Sequence, residues 1–326
     1  MKAFLGIDVG SVTTKFALLD ESNEVVFTSY DRTEGDPVGA VQRGLRELEK
    51  QLGPGVRLGG VGTTGSARYL VGAVVGVDIV KNEITAQAVA AAHFCPDVRT
   101  VIEIGGQDSK LIIIRDGMVV DFAMNTVCAA GTGSFLDQQA LRLGISVADL
   151  AELALSSSRP VRIAATCTVF AESDMIHKQQ MGHAREDIVS GLCRALAHNY
   201  LSDVGRGKEI LSPVLFHGGV AFNGGIVRAL EDSLGMPIIV PERQEAMGAI
   251  GMALVVAEEF AGTRGLSAFK GFEISETDYR ASSFECTACT RLCEIAELSE
   301  NGDVVARWGG RCDLWEGTES GEERSV

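Results

Sequence analysis

Apolar residues alternate along the chain with short glycine-containing breaks, and this pattern predicts mixed α/β structure. Three strands are predicted at the start, in "AFLGIDV", "KFALLD" and "VVFTSY", the first two joined by a tight turn. Apolar spacing of about 3.6 residues predicts a helix in "DPVGAVQRGLRELEKQLG" and a second in "EITAQAVAAAHFC". The chain therefore opens with a three-stranded meander followed by helices.

The opening pattern then recurs in the strands "TVIEIGG", "KLIIIRDG" and "VVDFAMN". Two strand–turn–strand segments, each with a glycine and an acidic residue at the bend, indicate an internal duplication. A third glycine bend, "VLFHGGVAFNGG", follows a buried strand, and "RQEAMGAIGMALVVAEEF" predicts a last long helix.

This pattern predicts three regions. Residues 1–96 form a first lobe, to which a helix in 242–262 returns, and residues 97–241 form a second lobe. Residues 263–326 form a tail, because the sequence there becomes polar and irregular and carries four cysteines.

Composition narrows the class of protein. The chain has 326 residues, is 46% hydrophobic and contains 38 glycines, which is typical of a compact α/β protein with many tight turns and a core of Val, Ile, Leu and Ala. A net charge of −15 argues against binding to nucleic acid or to anionic membranes. The sequence has neither a membrane-spanning apolar run nor a signal peptide, so a cytoplasmic location is expected.

Eight cysteines in a reducing compartment indicate metal or redox chemistry more than disulfides. Cys95 and Cys193 lie in helical sequence and are predicted to be small buried hydrophobes. Four others follow the spacing C-x2-C-x3-C-x18-C in the tail, namely Cys286, Cys289, Cys293 and Cys312. Zinc and a [4Fe–4S] cluster both fit four thiolates, and the cluster is the preferred prediction.

Three glycine bends favour phosphate binding. In the first, Asp8 ends a strand and small residues follow, so that backbone N–H groups can reach phosphate oxygens while the acid holds Mg²⁺ through water. "EIGGQDSK" repeats that chemistry, and "HGGVAFN" offers a backbone platform for a purine and ribose. Each bend alone is typical of an ordinary turn, but three in order indicate a nucleotide. The predicted nucleotide-binding residues are Gly10, Ser11, Thr13, Thr14, Lys15, Glu103, Gly105, Gly106, Gly218, Gly219 and Asn223.

Two competing nucleotide signatures are weaker. A Walker-type phosphate loop is absent, since "GRGKE" has Ser202 where the first glycine belongs. Residues Gly60 to Gly65 match GxGxxG, and Asp78 stands about where a ribose-binding acid would follow. The intervening "SARYLVGAVVGVDIV" lacks a helix-then-strand pattern, so this segment is predicted to be a loop near the nucleotide.

Cys128 and Cys167 each precede sequence that starts a helix. Helix N-termini stabilise thiolates and can donate hydrogen bonds to cluster sulfides. Two ligands per chain cannot complete a four-cysteine site, but a symmetric dimer can. On chemistry alone, two buried structural cysteines explain the pattern equally well.

Four stretches carry a resemblance to a known family: "GIDVGSVTTKFALLD", "IEIGGQDSKLI", "MNTVCAAGTGSFLDQQA" and "TCTVFAESDMI". They resemble the activator ATPases of 2-hydroxyacyl-CoA dehydratases, which are related to the ATPase subunits of benzoyl-CoA reductases. The resemblance spans residue 1 to about 260 and implies the two-lobed, duplicated ribonuclease-H-like fold of the actin, hexokinase and Hsp70 ATPases. Glu103 stands where the family more usually has Asp.

The resemblance also implies a function. MgATP is expected between the lobes, with Asp8 in the Mg²⁺ shell, Gln107 positioning the attacking water and Asp108 assisting the metal. Cys128 and Cys167 of two protomers are expected to hold one [4Fe–4S] cluster in a homodimer. An upstream ferredoxin or flavodoxin would supply electrons, and an iron–sulfur dehydratase or reductase would receive them at low potential.

Two other functions remain open on sequence. One is a small-metabolite kinase of the same fold, and the other is a nucleotide-dependent chaperone that carries a cluster for another protein. Glu172 and His177 are tempting catalytic residues near Cys167, but their spacing is more typical of a solvated helix face.

Overall fold

The computed structural model describes residues 2–52, 56–125, 129–165, 167–260, 262, 267–312 and 314–315. The chain divides into two compact units. The first comprises Met1–Glu83 with Gly248–Val326, and the second comprises Ile84–Met247. Within the described ranges, none of the helices combines the length and the apolar character that crossing a bilayer requires.

Each unit is built on a five-stranded sheet, and the tail carries a third, smaller sheet. The strands are β1 (Lys2–Val9), β2 (Thr13–Leu19), β3 (Val25–Arg32), β4 (Arg57–Thr64), β5 (Ile79–Val80), β6 (Thr100–Ile104), β7 (Ser109–Arg115), β8 (Met118–Asn125), β9 (Val214–His217), β10 (Ile238–Ile239), β11 (Tyr279–Glu285), β12 (Glu294–Glu300) and β13 (Asp303–Trp308). The helices are α1 (Pro37–Gln51), α2 (Arg68–Val75), α3 (Glu83–Phe94), α4 (Gly133–Leu143), α5 (Val147–Ser156), α6 (Thr168–Gln180), α7 (Arg185–Asp203), α8 (Gly224–Leu234) and α9 (Met247–Phe260).

The two large sheets have the same strand order. The first runs β3-β2-β1-β4-β5 and the second runs β8-β7-β6-β9-β10. In each, the first three strands are antiparallel, and the fourth pairs in parallel with the first. The predicted internal duplication is therefore confirmed at the level of topology.

In the first unit, α9 packs directly on the sheet because glycines leave room for it. A Cβ at Gly6 would collide with the carbonyl oxygen of Ala249. A Cβ at Gly60 or Gly62 would meet side chains of the same helix. These glycines explain how the long helix predicted at the end of the second half closes on the first sheet.

The predicted loop after Gly65 is wrong. Residues Arg68–Val75 form α2, which buries Val71, Val74 and Val75 and ends at Gly76 in the left-handed conformation. Residues Ile79–Val80 then form β5, which pairs with β4. Apolar residues on nearly every face of so short a segment hide the helical period that sequence reading depends on.

The tail is more ordered than its irregular sequence indicated. Strands β11, β12 and β13 form an antiparallel sheet, and Ile274 and Leu298 are buried in the apolar core of the first unit. Gln42 of α1 donates from Nε2 to the carbonyl oxygens of Ile274 and Thr277, at 3.0 and 2.8 Å. The tail is thus an integral layer of the first unit.

Candidate functional site

The turn between β1 and β2 holds the first predicted phosphate site. Asp8 and Lys15 are cross-strand partners, and Lys15 Nζ lies 3.3 Å from Asp8 Oδ2. The Gly10 N–H donates to the carbonyl oxygen of Thr13 at 3.0 Å, which closes the turn, and Ser11 at its tip is exposed. A carboxylate and an ammonium therefore stand together beneath a short solvent-facing turn.

Thr33, at the end of β3, fixes this turn from the side. Its Oγ1 donates to the Gly10 carbonyl oxygen at 2.9 Å and lies 3.0 Å from Thr14 Oγ1. Its backbone N–H donates to the carbonyl oxygen of Val12 at 2.9 Å. Thr33 could not be predicted from the sequence, because nothing near it distinguishes it from any other threonine after a strand.

Backbone from two distant segments encloses the Asp8 carboxylate. A Cβ at Gly65 would lie 2.6 Å from Asp8 Oδ1, and a Cβ at Gly248 would lie 2.6 Å from Asp8 Oδ2. Gly65 also has φ +90°, a conformation that side chains other than glycine rarely adopt. Only glycine fits at these two positions without displacing the carboxylate.

Asp78 does not act as the ribose-binding acid that the GxGxxG match requires. Its Oδ2 accepts from the Val61 N–H at 2.7 Å and from Ser267 Oγ at 2.6 Å, while its Oδ1 accepts from the Ala268 N–H at 2.7 Å. Asp78 therefore ties β4 to the start of the tail. In this structure the carboxylate is a tail anchor.

Replacing Asp78 by Ala removes the acceptor for three hydrogen bonds. We expect the free energy of unfolding to fall by about 3 kcal/mol, since hydrogen bonds to a charged group are individually strong. Limited proteolysis should then cut residues 267–278 at lower protease concentration than in the wild type. Asp303→Ala, at an exposed tail position, should leave both measurements unchanged, and equal protection of the two variants would contradict the anchor assignment.

The second hairpin, between β6 and β7, repeats the first in detail. Glu103 and Lys110 are cross-strand partners, as Asp8 and Lys15 are. The Gly105 N–H donates to the carbonyl oxygen of Asp108 at 3.0 Å, in the same way that Gly10 closes the first turn. The resemblance therefore extends from sequence to hydrogen bonding.

The charges of the second hairpin are more deeply buried. Lys110 is 3% exposed, and its Nζ bonds Glu103 Oε2 at 3.1 Å and Asp108 Oδ2 at 2.8 Å. Burial alone would lower the pKa of Lys110, but the two carboxylates outweigh it and raise the pKa above its ordinary value. The ammonium stays charged and partly neutralises both acids. Gln107, at the tip of the turn, is exposed to solvent.

The end of β9 carries the third predicted element. Gly218 has φ +96°, and a Cβ there would lie 2.5 Å from the carbonyl oxygen of Ile104. Gly219 begins a 3₁₀ turn that leads to Asn223. Asn223 is the N-cap of α8, since its Oδ1 accepts from the Gly225 and Ile226 N–H groups at 2.9 and 3.2 Å. The structure thus shows a capping role for Asn223, and adenosine binding by this segment stays a prediction.

Cys167 is the N-cap of α6, as the sequence predicted, and it is half-buried. The segment before it is held by two side chains: Asn199 Nδ2 donates to the Ala165 carbonyl oxygen at 2.8 Å, and Asp174 Oδ2 accepts from the Ala164 N–H at 3.0 Å. Cys128 lies outside the described residues. Buried Cys193 behaves differently, because desolvation raises the pKa of its thiol to about 12, which is consistent with a structural role.

The predicted tail site is not assembled in the structure. Cys286 and Cys293 lie next to each other at the two ends of the loop that joins β11 to β12, where the Cys286 N–H donates to the Cys293 carbonyl oxygen at 2.8 Å. Cys289 and Cys312 are exposed. Across the residues that the structure describes, no three Cys, His, Asp or Glu side chains are arranged to hold a metal ion. The four-cysteine site stays a prediction.

Glu172 has a structural partner. Its Oε1 lies 2.8 Å from Arg142 Nη2, so the ion pair links α6 to α4. His177 is exposed on α6. His177 therefore agrees with a solvated helix face, whereas Glu172 is partly buried in an ion pair between helices.

Comparison with known families decides the identity of the two-unit body. Residues 5–256 match the BadF/BadG/BcrA/BcrD ATPase family. The chain belongs to this family. The protein is thus an ATPase-family member, and the hairpins that carry Asp8 and Glu103 both lie within the matched region.

Relatives in this family include activator ATPases. The (R)-2-hydroxyglutaryl-CoA dehydratase activating ATPase of Acidaminococcus fermentans is 37% identical over 79% of this chain and 98% of its own length. The structure of the activator of the 2-hydroxyisocaproyl-CoA dehydratase from Clostridium difficile, with bound ADPNP, is 33% identical with a TM-score of 0.73, over 79% of this chain and 95% of that one. The resemblance that the sequence motifs indicated is confirmed.

A more distant likeness supports the fold class alone. A ROK family glucokinase from Streptomyces griseus shares 14% identity with a TM-score of 0.50, over 78% of this chain and 99% of its own. The BadF/BadG/BcrA/BcrD family member described here therefore has the predicted actin- and hexokinase-like ATPase fold. The family match stops at residue 256, so the tail lies outside the matched region.

Proposed function

We propose that the chain is an ATP-dependent activator that delivers low-potential electrons to a partner iron–sulfur enzyme. The observation that carries the proposal is Cys167 at the N-cap of α6, within a body that belongs to a family containing dehydratase activators. The overall reaction moves one electron from a reduced ferredoxin or flavodoxin to the partner, while ATP is hydrolysed to ADP and phosphate.

The residues at Cys167 fit one half of an iron–sulfur site. A half-buried thiol at a helix N-terminus lies beside backbone N–H groups that can donate hydrogen bonds to cluster sulfides. Val169 and Phe170 in the same turn are 68% and 64% exposed. Large apolar side chains at this position favour coverage by another protein surface.

Two cysteines per chain require a second protomer. We propose that Cys128 and Cys167 of two copies supply four thiolates to one [4Fe–4S] cluster on a two-fold axis. When bound, such a cluster supplies one-electron redox chemistry. The chain itself contributes the α6 N-terminus, the Asn199 and Asp174 hydrogen bonds that hold the segment before Cys167, and the exposed side chains of Val169 and Phe170.

For nucleotide, we propose that Asp8 holds Mg²⁺ through water and that Lys15 contacts phosphate. Thr14, predicted as a phosphate contact, is fully buried and its hydroxyl lies 3.0 Å from Thr33 Oγ1, so its role is to support the turn. The 3.3 Å Asp8–Lys15 pair orients the carboxylate and the ammonium beneath the turn. In the second unit, Gln107 is proposed to position the attacking water and Asp108 to assist the metal. The exposed position of Gln107 and the Lys110 contact of Asp108 support those roles.

The partner is proposed to be an iron–sulfur dehydratase of 2-hydroxyacyl-CoA substrates or a reductase of the benzoyl-CoA type. The named relatives support that class, while the substrate itself is a property of the partner. The tail cysteines are given no role in this proposal, because the structure does not bring them together as a metal site. Metal analysis would show whether they bind a metal.

Metal and sulfide analysis of anaerobically purified protein, together with its oligomeric state, tests the proposal. A dimer with about two irons per chain is expected from a bridging cluster alone, and about six if the tail holds another. Cys167→Ala should lose the bridging iron, whereas Cys95→Ala, a cysteine in the same unit, should keep it. A wild-type protein that takes up no iron even after reconstitution would overturn the proposal.

A further inference from the structure

The β6–β7 turn is hydrogen-bonded to the helix that follows Cys128. The Gly133 N–H donates to the Gly105 carbonyl oxygen at 2.8 Å, and the Ser134 N–H donates to the Gly106 carbonyl oxygen at 2.8 Å. Ser134 Oγ donates to the same Gly106 oxygen at 2.6 Å. The free N–H groups at the start of α4, which normally seek a cap or water, are thus satisfied by the turn itself.

A second set of contacts connects the same hairpin to the segment before Cys167. Tyr200, fully buried in α7, donates from its hydroxyl to the Lys110 carbonyl oxygen at 2.8 Å. Its neighbour Asn199 donates from Nδ2 to the Ala165 carbonyl oxygen at 2.8 Å. Two consecutive residues of one helix therefore contact the hairpin on one side and the cysteine segment on the other.

Asn199 also lies against the turn after Cys128. A Cβ at Gly131 would lie 3.1 Å from Asn199 Oδ1, so the amide packs directly on this 3₁₀ turn. All of these contacts lie within the second unit. Both segments next to the two candidate ligand cysteines are consequently fastened to the hairpin that carries Glu103, Gln107 and Asp108.

We propose that Ser134 and Asn199 are positioning residues that transmit the state of the β6–β7 turn to both cysteine-bearing segments. A nucleotide that moves the Gly105 and Gly106 carbonyls must move the start of α4 or break three hydrogen bonds. A shift of the hairpin at Lys110 must likewise move α7 and, through Asn199, the Ala165 segment. This inference rests on the proposed function, since it assigns the two cysteines to iron.

Iron release measures this coupling without any activity assay. Reconstituted wild type, Ser134→Ala, Asn199→Ala and the control His198→Ala would be challenged with bipyridyl in ADP and in ADPNP, and the two rates compared. His198 is exposed on the same turn of α7. Iron content, by metal analysis, and nucleotide affinity, by titration, are measured beside the rates.

Both positioning variants should keep their iron content and their nucleotide affinity. The ratio of the iron-release rates in the two nucleotides should move toward one by about fivefold, the effect of losing one hydrogen bond. His198→Ala should keep the wild-type ratio. Ser134→Ala keeps the backbone bond to Gly106, so it provides the test if Asn199→Ala fails to fold. An unchanged ratio in the folded variants, or no nucleotide dependence in iron-loaded wild type, overturns this inference. A wild type without iron overturns the proposed function instead.

Discussion

Asp8→Asn should lower kcat for ATP hydrolysis by about 100-fold or more, because a metal-binding carboxylate contributes several kcal/mol of transition-state stabilisation. The Asn side chain has nearly the same shape as that of Asp, so it should fit between Gly65 and Gly248 and the fold should tolerate the change. What is lost is the negative charge that we propose holds Mg²⁺ and that faces Lys15 at 3.3 Å. Steady-state phosphate release at saturating MgATP measures the effect.

Asp20→Asn is the matched control for this prediction. Asp20 lies in the next turn of the same sheet, where its Oδ1 accepts from the Ser22 and Glu24 N–H groups, and the oxygen of Asn can replace it. If Asp20→Asn hydrolyses ATP at the wild-type rate and both variants have the wild-type melting temperature, the loss of activity in Asp8→Asn is due to the charge of Asp8. Full activity of Asp8→Asn would remove Asp8 from the metal shell and with it our assignment of the first turn.

Lys110→Met should reduce the free energy of unfolding by about 3–5 kcal/mol, the usual cost of removing one partner of a buried ion pair. The substitution removes the ammonium that bonds Glu103 at 3.1 Å and Asp108 at 2.8 Å. Glu103 is only 8% exposed, so water cannot readily replace that ammonium. Urea denaturation at neutral pH, with unchanged slope, measures the loss.

The same variant should show a specific pH dependence. In the wild type, the raised pKa of Lys110 means that its stabilisation is fully present below its ordinary pKa and is lost only in strong alkali. In the variant, protonation of a buried carboxylate removes the unpaired charge that destabilises the protein. The difference in the free energy of unfolding between variant and wild type should therefore shrink from pH 8 to pH 5. Lys208→Met removes the partner of Asp121 in an exposed pair and should change little. A deficit that does not depend on pH would mean that lost packing, and not lost charge, destabilises Lys110→Met.

The sequence predicted most of the sheet structure because its signal is local. Continuous apolar runs bounded by glycine turns mark β1, β2, β6 and β7, and the matched positions of Asp8 and Glu103 are visible in the sequence. Helix α2 was missed since its stability comes from tertiary burial of three valines, which no local period displays.

The candidate site was predicted less completely, for a different reason. Thr33, Gly65 and Gly248 act on the Asp8 turn from segments far away in the chain, and their contribution is a hydrogen bond or a missing Cβ. Asp78 shows why the GxGxxG match was a weak signal, since its carboxylate accepts hydrogen bonds from the protein's own backbone.

Most of the hydrogen bonds between the tail and helices α1 and α2 are accepted by main-chain carbonyl oxygens, either of the tail or of α2. Gln42 reaches the carbonyls of Ile274 and Thr277, Arg46 reaches that of Ser275, and Lys270 reaches that of Ala73. Every residue type offers a carbonyl, so substitutions at Ser275 or Thr277 would leave these acceptors in place. The side chains that the attachment does require are few: Gln42 and Arg46 on α1, Lys270 in the tail, and the buried Ile274 and Leu298. The exposed cysteines of the tail, Cys289 and Cys312, are not among them, so their chemistry could change while the tail stays in place.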